Sequence, residues 1–497
     1  MGKGLKSSRV QDRKRALKSL VADGSPAAWR EVFTAFADPE SEVGDDAQLW
    51  AAKIEDPSVA EQLTGRAGLA SRELGVRLRA AEALGRVACT VDVALLLRAL
   101  DDRESEVAHL ALWSVERLAR AQRIGGDQAR AAEDLERAAR GHRDGYVRAA
   151  AICARGALFA KSNQAQDSAA VLEMARILRR CGEDRDPRVR CAAAMACAEL
   201  PRDAAVAGLA AFARDERSAV RLARIESLER IACAAGAAAL VNSLEFEPIP
   251  RARRALVAAL QRLSGLKHRD DVRPWRDWVR DLPSDWRPTL LVRETERDGP
   301  GAQGAAPGAA LSGQTSARPS FVGLQLTSTR ICFAIDFSGS MWTPMPDGRM
   351  PKELVDARLR STLESLDAAT HFNVVPFTNE ILPWRPKLVP ANPGNVRTAI
   401  ADFEDCKARG RGNFFDAAVF ALDDPEVETL VSLTDGVPTG GFHSDLDLVL
   451  ALLLERNRFR RVTFDTVLVD APPASERRFR TLAEASGGCL IVTEKAE

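Results

Sequence analysis

Two hydrophobic patterns divide this chain of 497 residues. Over residues 1–290, apolar side chains are spaced among Ala, Arg, Leu and Glu and strand formers are scarce, which predicts helices. Beyond residue 328 the pattern changes. β-Branched-rich apolar runs at 331–336, 371–377, 428–434, 462–469 and 488–492 alternate with helix-like segments at about 351–368, 413–422, 444–458 and 475–485. Strand–helix alternation of this kind predicts a mostly parallel sheet covered on both faces. In such open sheets ligands bind beyond the carboxyl ends of the strands, where the strand order reverses.

The helical part repeats itself. A short acidic turn followed by Val, often with Arg next, recurs at Val43, Val76, Val107, Val147, Val189 and Val220, at spacings of 33, 31, 40, 42 and 31 residues. The clearest copy is Asp184-Arg-Asp-Pro-Arg-Val189-Arg190-Cys-Ala-Ala-Ala. A period of this size marks a solenoid of helical hairpins. The acidic turn is expected to cap the second helix, Val to open its inner face, and Ala to permit close packing. One hairpin cannot bury its own apolar face, so neighbours complete the core. The pattern resembles HEAT repeats. The longer spacings predict insertions near 124–134 and 161–166.

Length requires a division into domains. The boundaries expected are a solenoid over 1–290, a flexible Gly/Ala/Pro-rich linker over 291–320, and an α/β doubly wound domain over 321–497. Three of the eight Trp residues, Trp275, Trp278 and Trp286, crowd the end of the solenoid, where they are expected to seal the last repeat.

Candidate chemistry sits at the start of the C-terminal part. The apolar run from Ile331 ends in Asp336, and Ser338 and Ser340 follow at alternate positions. One carboxylate and two hydroxyls on a tight Gly-containing loop suit a hard cation such as Mg²⁺ or Mn²⁺. The segment resembles the opening motif of the von Willebrand factor A (vWA) family's metal-ion-dependent adhesion site. Leu433-Thr-Asp435-Gly-Val-Pro-Thr439 resembles that family's third metal loop, and Leu482-Ala-Glu-Ala-Ser-Gly-Gly488 its last helix and turn. The resemblance implies that Asp336, Ser338, Ser340 and Asp435 hold a divalent metal and that a partner's acidic residue completes the coordination. One departure stands out. Where the family's second loop carries a metal-binding threonine, this chain reads Gly410-Arg411-Gly412-Asn413. Gly412 offers no oxygen, Asn413 is an accessory candidate through its carbonyl oxygen, and Arg411 adds positive charge, so the site is expected to bind metal weakly.

Charge and composition narrow the function. Seventy basic and seventy acidic side chains leave no net charge, which disfavours nucleic acid. A local arginine patch at Arg176, Arg179, Arg180, Arg185, Arg188 and Arg190 reads mainly as a solvated face with ion pairs inside each repeat. The five histidines show no ligand spacing, although His443 follows the third metal loop closely enough to line a binding face. Neither a phosphate loop nor a Gly-x-Ser-x-Gly elbow is present. Nine cysteines in apolar patterns suit free thiols in a reducing compartment, and no run is apolar enough for a membrane span or signal peptide. The expectation is a non-enzymatic, cytoplasmic, bacterial-type adaptor. It would bind one protein at the metal and a second protein or peptide on the solenoid. The alternatives are a nucleic-acid-binding scaffold and a lyase-like enzyme using the concave face.

Overall fold

The computed structural model describes residues 4–288, 319–344 and 348–493, without the side chains of residues 163, 164 and 340. The expected linker lies almost wholly outside the described residues. The chain divides into two compact units, one built on the N-terminal helices and one on the C-terminal sheet. No helix among the described residues is long and apolar enough to cross a membrane.

In the N-terminal unit the second helices of successive hairpins stack on one another: Leu74–Ala83, Ser105–Arg120, Gly145–Ala160, Pro187–Cys197, Ser218–Ile231 and Pro250–Ser264. The first helices form a second layer, among them Pro57–Thr64, Val93–Leu97, Gln128–Gly141, Ser168–Cys181, Arg202–Leu209 and Ala234–Phe246. The marker valines Val107, Val147, Val189 and Val220 are fully buried, as are Ala149–Ala151 and Ala192–Ala194. Methyl side chains at those positions let neighbouring helices approach closely. The extra residues of the long repeats form short pieces. Strands β1 (Val91–Asp92) and β2 (Ile124–Gly125) pair in parallel, and a 3₁₀ turn spans Asn163–Gln166.

The acidic turns do more than cap. Asp144 and Asp186 cap their helices as expected, accepting from the N–H of Tyr146 and of Arg188. At the helices opening with Ser105 and Ser218 the cap residues, Glu104 and Arg217, make no side-chain cap bond. There Asp102 and Asp215 instead accept the N–H of those same residues, at 2.9 Å each. Such acids also receive the arginine of the preceding repeat. Arg77 grips Asp102 at 2.8 and 3.2 Å, Arg148 grips Asp184 at 3.0 and 2.9 Å, and Arg190 grips Asp215 at 2.7 and 3.0 Å. Arg221 holds Glu247 in the same way at 2.8 and 2.9 Å. Each guanidinium donates as well to a carbonyl of its own turn, for example Arg148 to His142 O and Arg190 to Asp184 O. Arg190 is therefore no part of a solvated face, contrary to expectation: it is a buried rung tying one repeat to the next. Bidentate, charge-assisted pairs of this geometry fix register as well as adding energy. Among the joints between these six stacked helices, one rung is missing. Ala108 follows Val107, and at that joint Arg143 Nη2 donates to Arg103 O at 2.8 Å.

The helix Val272–Arg280 closes the array. Trp275 is fully buried and its indole N–H donates to Arg269 O at 2.7 Å. Trp278 and Trp286 follow edge to face, with centroids 6.0 and 5.5 Å apart. An indole with one wet edge and one buried face suits such an end cap.

The C-terminal unit opens with a small hairpin, β3 (Ser320–Phe321) and β4 (Leu324–Gln325). Its main sheet comprises β5 (Arg330–Asp336), β6 (His371–Phe377), β7 (Val389–Pro390), β8 (Thr429–Thr434), β9 (Thr463–Val469) and β10 (Leu490–Thr493), in the order β10-β9-β8-β5-β6-β7. All neighbours are parallel except β6 and β7. Ile331, Phe333 and Ile335 point into one core, with the helices Pro351–Glu364 and Pro393–Asp405. Cys332 and Ala334 point into the other, with Phe414–Asp423, Leu446–Asn457 and Pro473–Ser486. The chain passes from β5 to β6 on one side and later to β8 on the other. The strand order thus reverses between β5 and β8, where two acidic loops emerge.

Candidate functional site

Asp336 ends β5 and is only 2 % exposed. Its Oδ1 accepts from Ser338 N–H at 2.8 Å, and its Oδ2 accepts from the hydroxyl of Thr434, the last residue of β8, also at 2.8 Å. Burial pushes the Asp336 carboxyl up to about 6, and the nearby charge of Asp435 adds to the rise, while the hydrogen bonds from Ser338 and Thr434 oppose it. Asp435 follows at the half-exposed start of the next loop, with Oδ1 accepting from Val437 N–H at 3.1 Å. Ser338 is buried and bridges to Gly410 of the neighbouring loop. The side chain of Ser340 lies outside the described residues.

The loop 410–413 lies directly beside the carboxylate. A Cβ on Gly412 would stand 3.3 and 3.5 Å from the two Asp336 oxygens. Two segments hold the loop in place. Gly412 N–H donates to Thr439 Oγ1 at 2.9 Å, and Gly412 O accepts from the N–H groups of Thr439 and Gly440 at 3.0 and 3.2 Å. Arg411 N–H donates to Asn379 Oδ1 at 2.6 Å. Gly441 has φ +85°, and a Cβ there would collide with Asn413 Oδ1 at 2.1 Å, so only glycine allows this approach.

Asn413 is already in use. Its side-chain oxygen accepts from Asp416 N–H at 3.2 Å and caps the helix Phe414–Asp423. Its amide nitrogen donates to Asp416 Oδ2 and to Asn379 O at 2.7 and 3.1 Å. Asp336, Ser338 and Asp435 are thus brought to one edge of the sheet. Asn413 lies beside them, with its side chain turned to the helix it caps. Thr434 and Thr439 were not anticipated. Their signal lay in the same loop, since the two hydroxyls bracket Asp435-Gly-Val-Pro438.

Beneath the first loop lies an aromatic support. Phe337 packs edge on against Phe403 and Trp342, and Lys352, itself buried, stands over the Phe337 and Phe403 rings at 4.9 and 4.6 Å while donating to Phe403 O. His443 packs edge on between Phe415 and Phe442. The thiols of Cys181 and Cys197 are pushed up by burial, to about 11 and about 12, and stay protonated at neutral pH.

Residues 174–261 match the family model described as HEAT repeats. The chain is 33 % identical over 131 residues to human inter-alpha-trypsin inhibitor heavy chain H4, covering 24 % of this chain and 13 % of that protein. It is 34 % identical over 123 residues to human inter-alpha-trypsin inhibitor heavy chain H2, covering 22 % of this chain and 12 % of that one. The chain thus spans little more than a tenth of the length of these curated relatives. Among solved structures, a von Willebrand factor type A protein from Catenulispora acidiphila aligns at TM-score 0.27 and 20 % identity, over 33 % of this chain and 38 % of that one. HEAT repeats and a vWA-like domain together fit a protein-interaction scaffold. The chain carries HEAT repeats over residues 174–261, and its C-terminal sheet domain is similar to von Willebrand factor A proteins.

Proposed function

We propose that this chain is a two-site adaptor, in which the vWA domain takes an acidic residue of one protein in the presence of a divalent cation and the helical array holds a second protein. The observation that carries this reading is the buried Asp336 carboxylate, held by two hydrogen bonds and destabilised in its charged form by burial and by Asp435. A buried carboxylate of this kind is relieved by a cation. The donors around it are all oxygens, which suits Mg²⁺ or Mn²⁺ better than a softer metal. Asp336 and Asp435 would supply charge, and Ser338 with Ser340 the hydroxyls. When bound, the ion would offer a Lewis-acidic position to a carboxylate from the partner. Gly412 leaves that side of the carboxylate open, so water takes the place of a threonine and affinity is low. Free, mostly buried thiols suit a cytoplasmic setting.

Titration of the full chain with Mg²⁺ and Mn²⁺ by calorimetry tests the reading. Saturable binding is expected, and Asp336→Ala should abolish it without altering the circular dichroism of the fold. Binding that survives Asp336→Ala, or none at millimolar ion, overturns the metal site. Gly412→Thr provides an independent check. It places a hydroxyl beside Asp336 and should tighten Mg²⁺ binding by about tenfold, roughly 1.4 kcal/mol. Unchanged affinity would show that position 412 does not face the ion.

A further inference from the structure

Where the fourth and fifth turns of the helical array meet, two neighbouring repeats close a groove of about 390 Å³ lined by Arg140, His142, Arg143, Arg148, Asp184 and Arg185. Its floor is rigid. Arg148 is 6 % exposed and holds Asp184 with both nitrogens, while donating to His142 O at 2.9 Å. Gly145 permits the two turns to touch, since a Cβ there would meet the Asp186 carboxylate at 1.7 Å. Arg188 lies over the Tyr146 ring at 4.5 Å and pairs with Asp186, locking the second turn against the first.

The charges in this groove do not balance. Asp184 is neutralised by Arg148, and Arg140 shares Glu136 of its own helix at 3.0 Å. Arg143 gives one nitrogen to Arg103 O, and among the described residues no acid forms an ion pair with Arg143 or Arg185. Both are exposed. His142 Nδ1 accepts from Asp144 N–H at 3.1 Å, so in the neutral ring the proton sits on Nε2 and adds another donor. The groove therefore presents two unneutralised guanidinium forks on a fixed floor, a geometry that matches carboxylates.

The surface next to it decides what kind of anion fits. A second groove of about 440 Å³ shares Arg140 and Gly141 and is lined by Glu133, Glu136 and Arg137. A phosphate backbone running on from the arginines would meet those glutamates. A peptide carrying only a short acidic run would not. We infer that the junction between these repeats is a docking site for a short acidic peptide segment, its Asp or Glu side chains taken by Arg143 and Arg185. The inference rests on the reading that the array holds a protein partner, and it names the chemistry of that partner.

Fluorescence anisotropy of the full chain tests it, with a labelled hexaglutamate peptide as probe and labelled hexalysine and a twelve-residue oligothymidylate as comparisons. The Asp336→Ala chain in EDTA is used throughout, so that capture of glutamate at the vWA metal loops cannot contribute and a failure here leaves the metal reading standing. Saturable hexaglutamate binding is expected, weakened at least about tenfold by Arg143→Glu with Arg185→Glu, about 1.4 kcal/mol. Neither arginine is a ladder rung, and with only the Arg143 bond to Arg103 O lost the melting curve should shift slightly; the milder Arg143→Gln with Arg185→Gln pair serves if the charge reversal unfolds the array. Lack of hexaglutamate binding at low salt, or binding indifferent to both pairs of substitutions, overturns the proposal. Tighter binding of oligothymidylate with the same dependence on Arg143 and Arg185 also overturns it, in favour of nucleic acid.

Discussion

Asp336→Asn should make the metal-free protein more stable at neutral pH, although it removes a residue from the heart of the candidate site. The carboxyl is raised from its ordinary 3.8 to about 6 by burial. A carboxyl whose folded value lies above its unfolded value favours the folded state only while it is protonated. Stability is thus full below about pH 4, falls as the pH rises through the window from 3.8 to 6, and stays lower above it. Two pH units correspond to roughly 3 kcal/mol. Asparagine keeps an acceptor for Ser338 N–H, but its NH₂ faces a Thr434 hydroxyl that now donates to Asp336 and accepts from Gly436 N–H. That hydroxyl must turn, so a net gain of about 1–2 kcal/mol is expected. Thermal melts in EDTA at pH 7.5 and at pH 4 give the answer. The variant should lead at the higher pH and lose its lead at the lower. A variant less stable than the parent at pH 7.5 would mean that the Asp336 charge is already compensated. Saturating Mg²⁺ should reverse the order, because only the parent binds it.

The second large effect concerns the array. Arg190→Met should destabilise the repeats around residues 174–261 by about 3–5 kcal/mol, the range for breaking a buried ion pair from one side. Arg190 is 8 % exposed, and both Asp215 oxygens and the Asp184 carbonyl depend on it. The loss arises largely from Asp215, left charged in a closed turn with little beyond Arg217 N–H to hold it. Adding Asp215→Asn should therefore restore part of the stability. Arg15 is the contrasting case: its side chain is 79 % exposed and pairs only with Asp12. Arg15→Ala should change the melting curve by less than about 1 kcal/mol. Calorimetric scans of the three variants decide the matter. Equal effects at Arg190 and Arg15 would show that the rungs carry no more than ordinary surface pairs.

The parts of this structure that follow a period were legible in the sequence. Val189 and its fellow markers placed the buried start of each second helix, and the apolar runs placed β5, β6, β8, β9 and β10 to within two residues at most ends. The helix Pro393–Asp405 is absent from the expected segments, since Pro393 and Gly394, side by side, are turn formers. They open a helix instead, with Asn392 capping it and Val396, Ile400 and Phe403 buried. Strand β7 is two residues long and antiparallel, too short to show a pattern. The rungs were hidden for another reason. Each arginine was visible beside its valine, but its partner stands a whole repeat away, 25 residues on for Arg77 and Arg190 and 36 for Arg148. At the candidate site, Asp336, Ser338 and Asp435 were legible because they stand in contiguous motifs. Thr434 came to notice only through its contact with a residue 98 positions earlier.

The missing rung at Ala108 makes the array uneven in its response to its surroundings. At most joints a buried charged pair does part of the holding, and buried pairs are little screened by salt. Ser105–Arg120 and Gly145–Ala160 pack on one another, and their buried side chains include Val107, Ala111, Val115 and Leu118 on one helix and Ala150, Cys153, Ala154 and Ala157 on the other. Apolar burial is indifferent to moderate salt and fades on cooling. Cold should therefore loosen the middle joint before its neighbours, so that the array has its weak point there when chilled.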